Sequence, residues 1–355
     1  MHKKIFTTTI FLLSIFFVSA QDDRDATDET NGNQISSENR VGIERVKDSI
    51  YMIKGRGGNI GISIGKDGIF MIDNKFEETS ISVMERIRKV SYKPIELLVN
   101  THHHGDHIGA NSYMSGLGTI IFSHDNARRR MAKPYTKPAR DAHRKKLDSV
   151  LKEYGSKVTS DETRKEAYMQ AEKIIGSAED MINIPEGSLP VVSFSKDLNF
   201  YYNDEKIMLI HLPNSHTDGD VMVYFTKSNV LHTGDSFVKG YYPFIDSENR
   251  GSVDGYIKGL KKIMGLANNE TKIIPGHGGV ASKTDVNYTH GMLRFISEKI
   301  RYHIVDNKSV EDVLAMSELT KEYDDKGFGE GFVTTESFIR TLYSELSKTT
   351  KRQKK

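Results

Sequence analysis

The segment Thr101-His102-His103-His104-Gly105-Asp106-His107 places His102, His104, Asp106 and His107 within six residues. Neutral imidazole and carboxylate are the donor types that Zn²⁺ accepts at about 2.0–2.2 Å. A single loop can turn all of these side chains towards one point. The segment is internal, broken by Gly and Asp, and bounded by Gly109, unlike a surface or tag-like histidine run. One loop cannot close two metal sites, so distant partners are required. Three positions offer them: His216 in Pro213-Asn214-Ser215-His216-Thr217-Asp218-Gly219-Asp220, Asp235 in Leu231-His232-Thr233-Gly234-Asp235, and His277 in Pro275-Gly276-His277-Gly278-Gly279. A lone histidine at a strand end is more often a hydrogen-bonded loop residue. The argument is the recurrence, because each candidate follows an apolar run and is flanked by Gly or Pro.

Positioning these residues requires elements that end where they stand. Short β-branched runs separated by Gly predict strands over 49–53, 59–64 and 68–72, the last running into Asp73. Helical spacing follows, with Ile81, Met84, Ile87 and Val90 on one face, and Pro94 introduces a strand over 95–100 that leads into the His-rich segment. A second series repeats the plan: a strand over 207–211, a hairpin of 221–225 and 230–232, a helix over 253–264 and a strand over 272–274. The charged stretch from about 125 to 183 predicts a helical insertion. Helices are also expected from 284 to about 347, with Val310, Leu314 and Leu319 on one face. Alternation of this kind predicts sheets with helices outside them and a site where strand-end loops converge.

The order His-x-His-x-Asp-His, a distant His, Gly-Asp and Gly-His-Gly resembles the metallo-β-lactamase superfamily over about residues 42 to 281. The resemblance implies an α/β fold, an αββα sandwich of two mixed β-sheets with outer helices. It further implies that His102, His104 and His216 hold one zinc, that Asp106, His107 and His277 hold the other, and that Asp235 bridges them. His103 is then a bystander, and the strand-ending Asp73 supports the site from beneath. Two such cations would lower the pKa of a shared water and polarise a scissile carbonyl, with Asp106 orienting the water and relaying its proton. Two zinc ions per chain are therefore expected, although iron or manganese suits the same donors. His232, three residues before Asp235, is expected to support it or to be structural. Lys239, Tyr241 and Tyr242 are expected to line the pocket or pack at its rim.

Departures from the pattern bear on the substrate. Many zinc β-lactamases resemble this chain at the histidines but carry Cys where Asp235 stands, and a carboxylate-binding Lys three residues later; here Lys239 is four residues later and the chain has no cysteine. An Asp bridge is more similar to glyoxalase II, lactonases and related ester hydrolases. No feature of the sequence identifies a glutathione site. The expectation is a hydrolase of an ester, lactone, thioester or cyclic amide; the alternatives are zinc β-lactamase activity proper and a zinc-binding protein without turnover.

The chain has 355 residues, enough for a sizeable core. Residues 1–20 read as a signal peptide: Lys3-Lys4, an apolar run from Ile5 to Val18, and Val18-Ser19-Ala20 before Gln21. The run is short for a bilayer span, so an exported protein, periplasmic or secreted and without a membrane anchor, is expected. Residues 21–40 are polar and predict a flexible leader, residues 41–347 the hydrolase domain, and 348–355 a basic tail. Without Lys3 and Lys4 the 50 basic residues become 48, against 48 acidic ones. Such balance offers no basic face for a nucleic-acid partner, which leaves a small-molecule substrate. The absence of cysteine excludes disulfides and thiolate ligands.

Overall fold

A computed structural model of the chain describes residues 41–132 and 187–353. The expected signal peptide, the leader and most of the expected insertion lie outside the described residues. Within them, the first half of the fold comprises β1 (Gly42–Lys47), β2 (Ile50–Lys54), β3 (Ile60–Gly65), β4 (Gly68–Ile72), α1 (Ser80–Arg88), β5 (Ile95–Asn100), α2 (Gly105–Ile108), α3 (Asn111–Gly116), β6 (Ile120–His124), α4 (Asp125–Met131) and β7 (Val192–Phe194). The second comprises β8 (Leu198–Tyr202), β9 (Glu205–Leu212), β10 (Asp220–Phe225), β11 (Val230–His232), α5 (Val253–Leu266), β12 (Lys272–Ile274), α6 (Lys283–Val305), α7 (Val310–Leu314), α8 (Lys321–Asp324) and α9 (Thr335–Gln353).

The strands form a seven-stranded sheet in the order β1-β2-β3-β4-β5-β6-β7 and a five-stranded sheet in the order β12-β11-β10-β9-β8. Pairing is antiparallel from β1 to β4 and parallel from β4 to β7. In the second sheet only β11 and β12 run parallel. Both sheets are mixed.

Period-two alternation explains how the sheets stack. On β9, Ile207 and Leu209 join Val221, Val223 and Phe225 of β10 against Met52, Phe70, Ile72 and Val99 of the first sheet, which makes the core between the sheets. The intervening residues Ile210, Leu212 and Met222 face outward, where Tyr256, Leu260 and Ile263 of α5, Leu293 and Ile296 of α6, and Phe338 and Leu342 of α9 cover them. The outer face of the first sheet, including Ile62, Ile69, Met71 and Leu98, is covered by Val83 and Ile87 of α1. The layers are helix, sheet, sheet and helix, the sandwich that the resemblance implies.

The strands β4, β5, β11 and β12 fall where the apolar runs put them. The buried face of α1 does not follow the expected one. Ile81 is 70% exposed while Val83 and Ile87 are buried. Spacing of three residues drifts around a helix, whereas Val83 and Ile87 are four apart and stay on one stripe. Val310, Leu314 and Leu319 do not share one helix either, because α7 ends at Leu314 and a separate turn carries Leu319. Helix α9 runs to Gln353, so the basic run begins inside a helix. Among the described residues no helix is long and apolar enough to cross a membrane.

Candidate metal centre

The strand β5 ends at Asn100, and the chain then turns through Thr101–His104 into α2, whose single turn carries Asp106 and His107. From the second sheet come His216 in the β9–β10 turn, Asp235 in the turn after β11, and His277 after β12. These loops meet at one end of the sandwich. His104 Nδ1 lies 2.9 Å from His216 Nε2, His107 Nε2 3.1 Å from Asp235 Oδ1, and His277 Nε2 3.3 Å from Asp106 Oδ2 and 3.4 Å from Asp235 Oδ2. Potential ligand atoms of His102, His104 and His216 lie within 4.8 Å of one another, as do those of Asp106, His107 and His277, and those of His102, His107 and Asp235. All the expected ligands are thus brought together.

Three of the rings, those of His107, His216 and His104, are held from behind. Asp73 accepts from His107 Nδ1 at 2.7 Å and from the Thr101 backbone N–H and hydroxyl, each at 2.7 Å. His216 Nδ1 faces the Phe244 carbonyl at 2.8 Å and His104 Nε2 faces Asp246 at 2.8 Å. Every one of these contacts turns the opposite ring nitrogen towards the centre. Left over are His102 Nε2, His107 Nε2 and Asp235 Oδ1, which are buried and satisfied by no hydrogen bond, the last two facing each other at 3.1 Å. Buried polar atoms without partners cost roughly 1–3 kcal/mol each, and their convergence on one point is what a bound cation would relieve. The donor set therefore fits divalent metal ions.

The electrostatics divide the histidines. Burial pushes His216 down to about 4 and His102 well below its ordinary value, so both are neutral donors. Burial also opposes charge on His107 and His277, but carboxylates overcome it: Asp235, Asp106 and Asp73 hold His107 well above its usual value, and Asp235 with Asp106 lifts His277 to about 9. Asp106, although burial raises it, is brought down to about 2 by His107 and His277 and remains a carboxylate.

Close backbone approach makes this geometry possible. A Cβ on Gly58 would lie 2.1 Å from His107 Cε1, and one on Gly276 would lie 1.9 Å from Asp235 Oδ1. His232 is buried between the Asn59 carbonyl, 3.1 Å from its Nε2, and the Gly234 N–H, which donates to its Nδ1 at 3.2 Å. It holds the turn that carries Asp235. Asn59 and Asp246 have no local sign in the sequence. The Asn59 side chain donates to the carbonyls of Pro275 and Gly278 at 2.9 and 2.8 Å and so clamps the His277 loop. Asp220 accepts from the Thr217 N–H and hydroxyl and from Ser236, joining the His216 and Asp235 turns.

A cavity of about 720 Å³ opens over His104, Asp106, Asp235 and His277. Of the expected substrate contacts, Tyr241 lines it and is 40% exposed. Tyr242 borders it but is buried, and its hydroxyl donates to Asp324 at 2.8 Å. Lys239 is not among the lining residues: its ammonium donates to the Val280 carbonyl at 3.0 Å and pairs with Asp285 at 3.2 Å. The capping carboxylate at the start of α6 draws it away from the cavity. His103 packs on His104 with ring centroids 4.7 Å apart.

A search of curated proteins returns no match by sequence. Among solved structures, a metallo-beta-lactamase from Pontibacter korlensis aligns with 72% of this chain and 99% of its own at 13% identity and a TM-score of 0.51. The stereoselective inverting sec-alkylsulfatase Pisa1 from Pseudomonas sp. aligns with 86% of this chain at 15% identity and a TM-score of 0.61. The chain corresponds to 50% of that protein. At such identities the likeness concerns the fold. The profile of the metallo-beta-lactamase superfamily matches residues 57–277, from the glycine loop over His107 to His277 itself. That span is more than half of the sequence and includes both sheets' contributions to the centre, and the chain belongs to the metallo-β-lactamase superfamily.

Proposed function

We propose that the protein is an exported hydrolase carrying two zinc ions. The observation that carries this reading is the set of buried ligand atoms on His102, His107 and Asp235 that no hydrogen bond satisfies and that converge within 4.8 Å of one another from two sheets. In this reading His102, His104 and His216 hold one ion, Asp106, His107 and His277 the other, and Asp235 stands between them. Bound there, two such ions supply acidification of water and polarisation of a carbonyl. Asp106, ionised and facing the cavity, accepts the proton of the attacking water and passes it to the leaving group. Asp73 and Asp246 keep His107 and His104 in the tautomers that leave the inner nitrogens available.

The substrate class is an ester, lactone, thioester or cyclic amide. The pairing of Lys239 with Asp285 speaks against a lysine clamp for the carboxylate of a β-lactam. The test is metal analysis of purified protein together with turnover on a panel of chromogenic esters, lactones and β-lactams. Close to two metals per chain are expected, with hydrolysis abolished by chelation and by His104→Ala. Undiminished turnover after complete metal removal would exclude the mechanism. Full metal content with no turnover on any of the panel would favour a zinc-binding protein.

A further inference from the structure

The cavity over the metal centre continues into a wall made by Phe76, Val238, Tyr241, Phe244, Phe332 and Val333. Phe332 and Val333 come from the strap between α8 and α9, beyond residues 57–277 that match the superfamily. The strap is anchored. Tyr242 donates its N–H to the Phe328 carbonyl at 3.2 Å and its hydroxyl to Asp324, and its ring stacks on Phe338 with centroids 4.3 Å apart. Gly331 lies flush against Tyr241, since a Cβ there would come within 2.7 Å of Tyr241 Cδ1. Phe332 meets Phe244 edge-on at 5.6 Å and is 89% exposed. A single exposed phenyl is ordinary, but this one extends an aromatic face that begins at the metal centre.

Charge around the cavity is already committed. Lys54 pairs with Glu44 at 3.0 Å, Arg56 pairs with Glu78 at 2.6 Å and lies over the Phe76 ring at 4.8 Å, and Lys239 pairs with Asp285. Each of these described cations has an acidic partner, so the wall suits an uncharged group.

We propose that the strap sets the specificity of the site, and that the substrate is a neutral ester or lactone whose apolar acyl group lies along Phe244 and Phe332. This rests on the hydrolase reading above. Water adds to the carbonyl carbon, the acyl C–O bond breaks, and the proton goes to the leaving alkoxide. An ester gives a carboxylic acid and an alcohol, and a lactone gives a hydroxy acid.

Two measurements test it. Across a series of linear acyl esters, kcat/KM should rise about two- to fourfold per methylene until the wall is filled, the factor expected for burying one CH₂. Phe332→Ser should flatten that rise while metal content is retained, whereas Phe295→Ser, an exposed phenyl on α6, should leave it in place. The second readout needs no turnover. The chain has no tryptophan, so Phe332→Trp places a lone indole on the wall. Its emission should shift to the blue and saturate with 1-decanol but not with ethanol, in metal-free and metal-loaded protein alike. A flat chain-length series overturns the proposal, as does an indole that ignores decanol or responds to protein concentration instead. If nothing is hydrolysed, the hydrolase reading fails, and the indole still decides whether the wall binds a chain.

Discussion

Asp246, Asp73 and the Phe244 carbonyl stand behind the imidazoles of His104, His107 and His216. Asp73 collects three hydrogen bonds, from His107 Nδ1, the Thr101 N–H and the Thr101 hydroxyl. It does so from a left-handed backbone conformation, φ 59°. Asn tolerates that conformation and keeps the shape while removing the charge. Asp73→Asn should therefore weaken metal binding by about 10–100-fold, the usual effect of losing such a supporting carboxylate. Competition with a chromophoric chelator measures it; unchanged affinity would mean that Asp73 serves the fold alone. Protonation supplies a second prediction at this scale. In the metal-free chain His277 is lifted from 6.5 to about 9 and His107 is raised well above 6.5. Raised values make a stabilising contribution that is complete below 6.5 and is lost as pH climbs towards the folded value. Lys75, lowered by burial to about 8, acts with the opposite sign above that pH. The metal-free protein should thus lose thermal stability between about pH 6.5 and 8. Melting curves across that window in excess chelator check the sign, and a midpoint that rises would contradict it.

At the scale of elements, the site is a property of where strands stop. The apolar runs of β4, β5, β11 and β12 are visible in the sequence, and each leads to a residue of the centre or its support: Asp73, His102, Asp235 and His277. Those residues were legible because chemistry and periodicity change at the same place. Asn59, Asp246 and Asp220 were not, because their roles exist only after folding. Asn59 reaches 216 residues along the chain to Pro275, and Asp246 is 142 residues from His104. Lys239 turns away from the cavity: nearness to Asp235 in sequence says nothing of the Asp285 carboxylate with which it pairs. The buried face of α1 departs from the expected one for a local reason, the drift of a three-residue spacing. Glycine is the element-scale requirement. In the β2–β3 loop, Gly58 lets the chain pass over the His107 ring, and an added methyl would stand 2.1 Å from Cε1. Gly58→Ala should displace His107 and cost about one metal per chain while far-ultraviolet circular dichroism stays native. Full metal content in that variant would show that the loop has room to give.

Across the whole molecule, the centre gathers its residues from both sheets, so a bound metal would cross-link them. His102, His104, Asp106 and His107 follow β5 of one sheet, whereas His216, Asp235 and His277 follow strands of the other. Protein contacts already join the sheets at this end: the Val221 N–H donates to the Thr101 carbonyl at 2.8 Å and the Asn59 N–H to the Gly276 carbonyl at 2.7 Å. Beneath them lies the apolar core shared by β2, β4, β9 and β10. With that core the sandwich should form without metal, leaving the loops above it with buried carboxylates and imidazoles facing one another. Metal binding should consequently stabilise the fold without being required for it. Ligand present at a thousand times its dissociation constant contributes about 4 kcal/mol. For a domain of roughly 260–310 residues each kcal/mol moves the melting midpoint by about 1.5–2 °C. Zinc should accordingly raise the midpoint of the chelated protein by roughly 6–8 °C. The rise should be much smaller in His216→Ala, which removes a donor of the second sheet. A zinc shift as large in that variant as in the parent would mean that the ion is held by the β5 loop alone, and the two sheets would then be joined by their core and not by the metal.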